Sequence, residues 1–188
     1  MYSVRKYKPE DKEQLRYICK ETTWDGYKKN KSKLDTVPMI FNDYFTENEP
    51  ESIFVAVDDT DIPVGYVICC TDYRSFRRTM LTDLQQRVLK AYPLSVFMLW
   101  AVLISVMITK KKYRTHLHID LLPCAQRQGL GTELINSLCR HLKSKNISNV
   151  SVITINKSSM GYKFYCKYGF RIVQQLTSNI ITMTFDIK

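Results

Sequence analysis

The apolar positions of this chain change period several times, and each change marks an element. Tyr2 to Lys6 alternates apolar with polar residues and reads as a first strand. Pro9-Glu10-Asp11 then opens a helix with Leu15, Ile18 and Cys19 on one face. Trp24-Asp25-Gly26 reads as a turn, and a second, irregular helix is expected from Val37 to Phe45, started near Pro38. Ile53 to Val57 and Val64 to Cys70 read as strands, with Asp58-Asp59-Thr60-Asp61 as the hairpin turn between them.

Residues 74–112 interrupt the strand series. Arg74 to Lys90 has a helical pattern; after Pro93, Leu94 to Ile108 is apolar except for Ser95 and Ser105, and no charge occurs from Ala91 to Thr109. That run reaches the length of a short membrane span. Spanning conflicts with topology, because the strands on either side are expected to share one sheet. A helix buried in the fold or covered by a partner is the preferred reading. Peripheral membrane contact through residues 94–108, helped by Lys110-Lys111-Lys112, is the alternative.

Alternation returns at Arg114 to Leu122, the expected fourth strand, and a helix follows from Gly129 to Ser144 with Leu130, Leu134, Ile135, Leu138 and Leu142 on one stripe. Asn149 to Thr154 is a fifth strand and Ser158 to Lys167 a short helix capped by Gly169. Phe170 to Gln175 and Ile180 to Asp186 read as a closing hairpin. With no repeat or linker, residues 1–188 are expected to form a single α/β domain with 74–112 as a helical insertion.

Charge and cysteines narrow the function classes. The net charge of +10 fits an anionic partner or serves solubility. Lysines and arginines look scattered, and no helix carries a basic stripe with interleaved aromatics, so no nucleic-acid partner is expected. Six cysteines show no metal-ligand spacing; with no apolar leader in Met1 to Tyr7, they read as reduced thiols of a cytoplasmic protein without a metal site.

Two segments can carry chemistry. Gln126-Arg127-Gln128-Gly129-Leu130-Gly131 joins a strand to a helix, where two glycines and the unpaired first-turn amides can receive phosphate oxygens. Alone, a Gly-x-Gly there serves tight packing equally well. Tyr165 stands just before a Gly-Phe turn, and can face a cleft or fill the core. Alternation puts His116, His118 and Asp120 on one face of the fourth strand. That polar face either relays a proton or packs, hydrogen-bonded, under a helix. Asp25 is either an acceptor-binding residue or a turn cap.

In this order and spacing, the two segments resemble the GNAT N-acetyltransferase family. The loop pattern Gln/Arg-x-x-Gly-x-Gly/Ala is met by Gln126, Gly129 and Gly131, with Pro123 upstream; the Phe-Tyr-x-Lys-x-Gly-Phe ending is met by Phe164, Tyr165, Lys167, Gly169 and Phe170. The run His116 to Pro123 and the segment Glu21 to Gly26 are similar to bacterial GNAT proteins related to the acetyltransferase-like domain of O-GlcNAc hydrolases. Two positions depart from the family: Ser158 stands where an Asn is usual, and Gly161 where Ala is usual.

The resemblance implies a GNAT fold: a mixed, mostly antiparallel sheet of six to seven strands, helices on both faces, splayed between the fourth and fifth strands. It implies acetyl-CoA as co-substrate. Leu121 and Leu122 would face its acetyl and pantetheine end, and Gln126, Arg127, Gln128, Gly129, Leu130, Gly131 and Thr132 its pyrophosphate. Asn156, Ser158 and Tyr165 would border the CoA chain. Tyr165 would be the general acid and Asp120, assisted by His118, the first choice of base. The implied partner is a small-molecule or protein amine acceptor, with Asp25 a candidate to bind it, in a monomer or homodimer. The competing expectation is a catalytically silent module that keeps the fold.

Overall fold

The computed structural model describes residues 2–155, 157–177 and 180–187. A seven-stranded sheet runs through it in the order β1-β2-β3-β4-β5-β7-β6. The strands are β1 (Ser3–Lys6), β2 (Ile53–Val57), β3 (Pro63–Cys70), β4 (His116–Leu121), β5 (Asn149–Ile155), β6 (Arg171–Gln175) and β7 (Ile180–Asp186). Neighbours are antiparallel except β4 and β5, which run parallel.

β2 and β3 are buried along their whole length, so both faces of the sheet must be covered. Period two sorts their side chains, except at Val64, where the β2–β3 register shifts. Ile53, Val55, Val57, Tyr66, Ile68 and Cys70 join one core with α1 (Lys12–Thr22), α3 (Lys31–Phe41) and the helices of residues 73–107. Phe54, Ala56, Val64, Val67 and Cys69 join the other, beneath α8 (Leu130–Ser144) and α9 (Met160–Tyr168). The hairpin between β2 and β3 is closed by Asp58, whose Oδ1 accepts from the amides of Thr60 (2.9 Å) and Ile62 (3.0 Å).

Three local expectations are corrected. Trp24-Asp25-Gly26 is not a bare turn but leads into a one-turn helix, α2 (Asp25–Lys28). Pro38 does not start its helix. Asn30 caps α3 by accepting from the Lys33 amide at 2.9 Å, and Pro38 sits inside. Its missing N–H weakens the helix locally. α3 stops at Phe41, Asn42 leaves the helical region at φ −131°, and α4 (Asp43–Asn48) starts in a new direction.

Between β3 and β4 the chain is mainly helical. α5 (Tyr73–Thr79) passes through a wider π-helical turn, Met80–Leu84, into α6 (Gln85–Ala91), and α7 (Val96–Met107) follows. The apolar run is buried on one side only. Val96, Leu99, Leu103 and Val106 enter the first core, while Leu94, Phe97, Trp100, Ile104 and Ile108 remain exposed. No helix among the described residues is long and apolar enough to cross a membrane.

Candidate functional site

β4 and β5 part almost as soon as they meet. Their one registered pair is His116 with Ser151, supported by the Ser151 amide donating to the Thr115 carbonyl at 2.8 Å. Beyond it, β4 stays on β3 as far as Leu121 opposite Gly65, and β5 stays on β7 as far as Ile155 opposite Ile180. The slot between them is thus edged by two strands each paired on its outer side only. The Leu122 amide donates to the Val64 carbonyl (2.9 Å) and the Leu122 carbonyl accepts from Ala125 (2.9 Å). Both backbone groups of Leu122 are therefore engaged within the fold, which argues against its expected contact with a cofactor. By the alternation of an antiparallel pair, the Leu121 amide points the other way, into the slot. Its carbonyl is held by the Gln126 side-chain amide at 2.9 Å. Gly65 makes this end possible: a Cβ there would lie 2.3 Å from Leu121 Cδ2 and 2.9 Å from the Asp120 carbonyl oxygen.

The loop after β4 turns on two left-handed residues, Arg127 at φ +61° and Gly129 at φ +80°. The second costs glycine nothing; the first costs a side-chain-bearing residue about 1–2 kcal/mol and marks a constrained turn. The turn is exposed from Arg127 to Gly129. Two of the amides expected to receive phosphate are engaged instead: Gln126 donates to the Pro123 carbonyl (3.3 Å) and Thr132 to that of Gly129 (3.0 Å). The amides of Arg127, Gln128, Gly129, Leu130 and Gly131 donate to no described residue. They form a row of open donors at the start of a fifteen-residue helix, where the macrodipole adds positive potential. A Cβ on Gly131 would come within 3.1 Å of Phe164 Cζ, so Gly131 lets α9 close against α8.

α9 starts at Ser159, whose hydroxyl accepts from the Tyr162 amide (3.1 Å), and ends at Gly169 with φ +110°. Tyr165 lies between Phe164 and Phe170, ring centroids 5.5 and 5.3 Å away. It is buried in the core, yet its hydroxyl makes no hydrogen bond to a described residue. Burial raises its pKa, and the negative charge of Asp120 raises it further, so the phenol stays protonated well into alkaline conditions.

The polar face of β4 divides in two. His116 is structural: its Nδ1 lies 2.8 Å from the Arg114 carbonyl, its ring packs edge-on to Phe76 (4.9 Å) and Phe45 (6.3 Å), and burial lowers its pKa. His118 and Asp120 form a dyad, Nε2 to Oδ2 at 3.0 Å, and the Tyr66 hydroxyl donates to the same oxygen at 2.6 Å. Burial opposes charge on both partners, but their mutual attraction prevails: the His118 pKa is raised and that of Asp120 lowered. The dyad remains reachable, with 37% of the His118 side chain and 17% of Asp120 accessible. Over it stands an aromatic wall: Phe41 stacks on His118 (5.6 Å, 23°), and the half-exposed Trp24 meets Phe41 edge-on (6.2 Å).

Residues 75–183, more than half of the chain, match the Acetyltransferase (GNAT) domain. This protein belongs to the GNAT acetyltransferase family. Its GNAT fold is shared by SsHAT, at 24% identity and TM-score 0.88, with 100% of this chain and 98% of that one covered. A polyamine N-acetyltransferase of Drosophila melanogaster, which catalyses formation of N-acetylagmatine, superposes at TM-score 0.65 with 14% identity over 99% of this chain and 100% of its own. The PaiA N-acetyltransferase of Thermoplasma acidophilum, solved in complex with coenzyme A, gives 0.60 and 15%, with 99% of each chain covered. At these identities the likeness is one of fold. No curated protein matches the chain in sequence.

Asp25 stands in solvent with 96% of its side chain exposed, 3.9 Å from Lys28 Nζ. Ser158 lies in an exposed turn before α9, and Asn156 lies outside the described residues. Among the described residues no cluster of histidine, cysteine, aspartate or glutamate could hold a metal ion. Sequence reasoning missed Tyr66, Gly65 and Phe41. The first two become visible only once the β3–β4 register puts Tyr66 opposite Asp120 and Gly65 opposite Leu121; Phe41 arrives through the break after α3.

Proposed function

We propose that this GNAT protein is an acetyl-CoA-dependent N-acetyltransferase that passes the acetyl group directly to a primary amine. The observation that carries the reading is the row of open amides from Arg127 to Gly131 at the mouth of the β4–β5 slot. Such a row suits a diphosphate, and the free strand edges behind it suit an amide-bearing chain such as pantetheine. Acetyl-CoA, when bound, supplies an activated thioester; the remaining roles belong to this chain. The loop amides hold the diphosphate. The Leu121 amide hydrogen-bonds the acetyl oxygen as negative charge grows on it. Tyr165, kept protonated by its raised pKa, gives its proton to the departing sulfur. Ser158 borders the CoA chain.

His118 in its neutral form takes the proton of the attacking amine, and Asp120 orients its ring. The sequence favoured Asp120 as base. The pKa directions favour His118, since a raised pKa makes a stronger base and a lowered one a weaker base. A net charge of +10 and an aromatic wall beside the dyad favour a monoamine on a neutral or apolar body over a polycation.

The whole chain serves as one catalytic domain with 74–112 inserted. Its buried free thiols at Cys19, Cys69 and Cys70 suit a reducing, cytoplasmic setting. The narrower kinship with bacterial relatives of the O-GlcNAc hydrolase acetyltransferase-like domain belongs to this reading too, because both segments that carry it border the dyad. Titration calorimetry with acetyl-CoA tests the core of the proposal. Binding is expected in the parent and abolished in a Gln126→Glu/Gly129→Trp variant; no heat at near-saturating co-substrate sinks it. An amine panel scored by thiol release then separates an enzyme from a silent module.

A further inference from the structure

The cations look scattered along the sequence, but the balance of charge is not. Residues 73–113 hold eight lysines and arginines against the single carboxylate Asp83, so this segment alone accounts for seven of the ten net positive charges. Arg74, Arg77 and Arg78 on α5 are exposed, and so are Lys110, Lys111 and Lys112 after α7. The two groups share one end of the insertion. Arg114 donates to the Met107 carbonyl at 3.0 Å while its guanidinium lies over the Tyr73 ring at 4.5 Å, tying the end of α7 to the start of α5.

From this end the open side of α7 runs back along the helix. Phe97, Trp100, Ile104 and Ile108 follow one another at three- and four-residue steps, which puts them on one helix face, with Phe97 63% and Ile104 53% exposed. Single exposed apolar side chains need no explanation; a continuous stripe does. Trp100 also donates its indole N–H to Gln85 Oε1 at 2.8 Å, so its polar edge is satisfied by protein and its apolar edge is presented outward. A second copy of the chain is a poor occupant, because two segments carrying this much like charge would be brought face to face. Crossing a bilayer is excluded by length: α7 has twelve residues, and a span needs about 20.

We propose that α7 and the cations gathered at its C-terminal end dock this protein on an anionic lipid surface. The helix lies in the plane of the interface, with Phe97, Trp100, Ile104 and Ile108 reaching the acyl boundary and Arg74, Arg77, Arg78 and Lys110 to Lys112 meeting the headgroups. This inference stands apart from the enzymatic reading.

The test uses the full chain in a Trp24→Phe background, which leaves Trp100 as its only tryptophan. Vesicles of phosphatidylcholine alone, and mixed with phosphatidylglycerol, are compared by flotation at low and high salt. The protein is expected to float only with the anionic vesicles and to be released by salt. Trp100 emission should shift to the blue and be quenched by brominated acyl chains. Phe97→Ser/Ile104→Ser, and separately Lys110→Ala/Lys111→Ala/Lys112→Ala, should each weaken binding by about tenfold or more with an unchanged thermal midpoint. Failure to float with anionic vesicles at low salt overturns the proposal. So does flotation with Trp100 unquenched, or a stable dimer in sedimentation that Phe97→Ser/Ile104→Ser dissolves.

Discussion

Two regions of this molecule each leave one kind of group without a partner. From β4 into α8 the open groups are backbone amides, five in succession from Arg127 to Gly131. Along α7 they are apolar side chains, from Phe97 to Ile108. The two deficits differ in what they specify. An amide is directional and must meet an acceptor in line, so a row of amides held by fixed dihedrals selects a charge and a shape. An apolar face is satisfied by any apolar surface in proportion to area, and selects only a class of neighbour. The first region therefore points to an anionic ligand of a given shape, and the second only to a location.

The strongest way to break the first half of this contrast is Tyr165→Phe. If the phenol is the acid, kcat should fall by about 10²–10⁴-fold while the affinity for acetyl-CoA is retained; unchanged turnover would return the protein to the silent-module reading. Next in size is a pair within α7 itself. Leu99→Ala, on the fully buried side, should cost about 2–5 kcal/mol in chemical denaturation, and Phe97→Ser, on the open side, less than about 0.5 kcal/mol. Similar losses for both would mean that the open face is covered in solution.

The dyad offers a pH test. His118 must be neutral to accept a proton, and its pKa is raised, chiefly by Asp120 acting against burial. Activity should therefore fall as pH drops through a value above that of an ordinary histidine. In Asp120→Asn the raising charge is gone, so this acid limb should move to lower pH as the maximal rate declines. An acid limb that stays in place would show that another group is the base. The smallest expected effect is that of Gly131→Ala. A Cβ 3.1 Å from Phe164 Cζ requires that ring to give way by a few tenths of an ångström, so acetyl-CoA affinity should drop by less than about tenfold and recover in Gly131→Ala/Phe164→Leu.

What could be read in the sequence follows from how local each determinant is. The β4 strand, its loop, α8 and the Gly169 cap announce themselves within a few residues, because alternation, a glycine and a helical stripe are short-range signals. The same holds for the hairpin at Asp58. Pro38 misled, since a proline is favoured at a helix start and Asn30 supplied an earlier one. His116 and His118 sit two residues apart with identical pattern, yet Phe76 and Phe45 bury one while the other stays reachable; that depends on elements far away in sequence. Tyr66 and Asp120 are 54 positions apart and meet only through strand register. For α7, composition revealed the apolar run but not which side faces out.

The single registered pair between β4 and β5 has one more consequence. Seven strands are fastened there by little more than the Ser151 amide on the Thr115 carbonyl, while side chains beneath α8 tie the two half-sheets together. The molecule is thus jointed like a clothes-peg. Beyond that pair no rung of the ladder joins the two half-sheets, so the stiffness of the joint is set by the packing underneath.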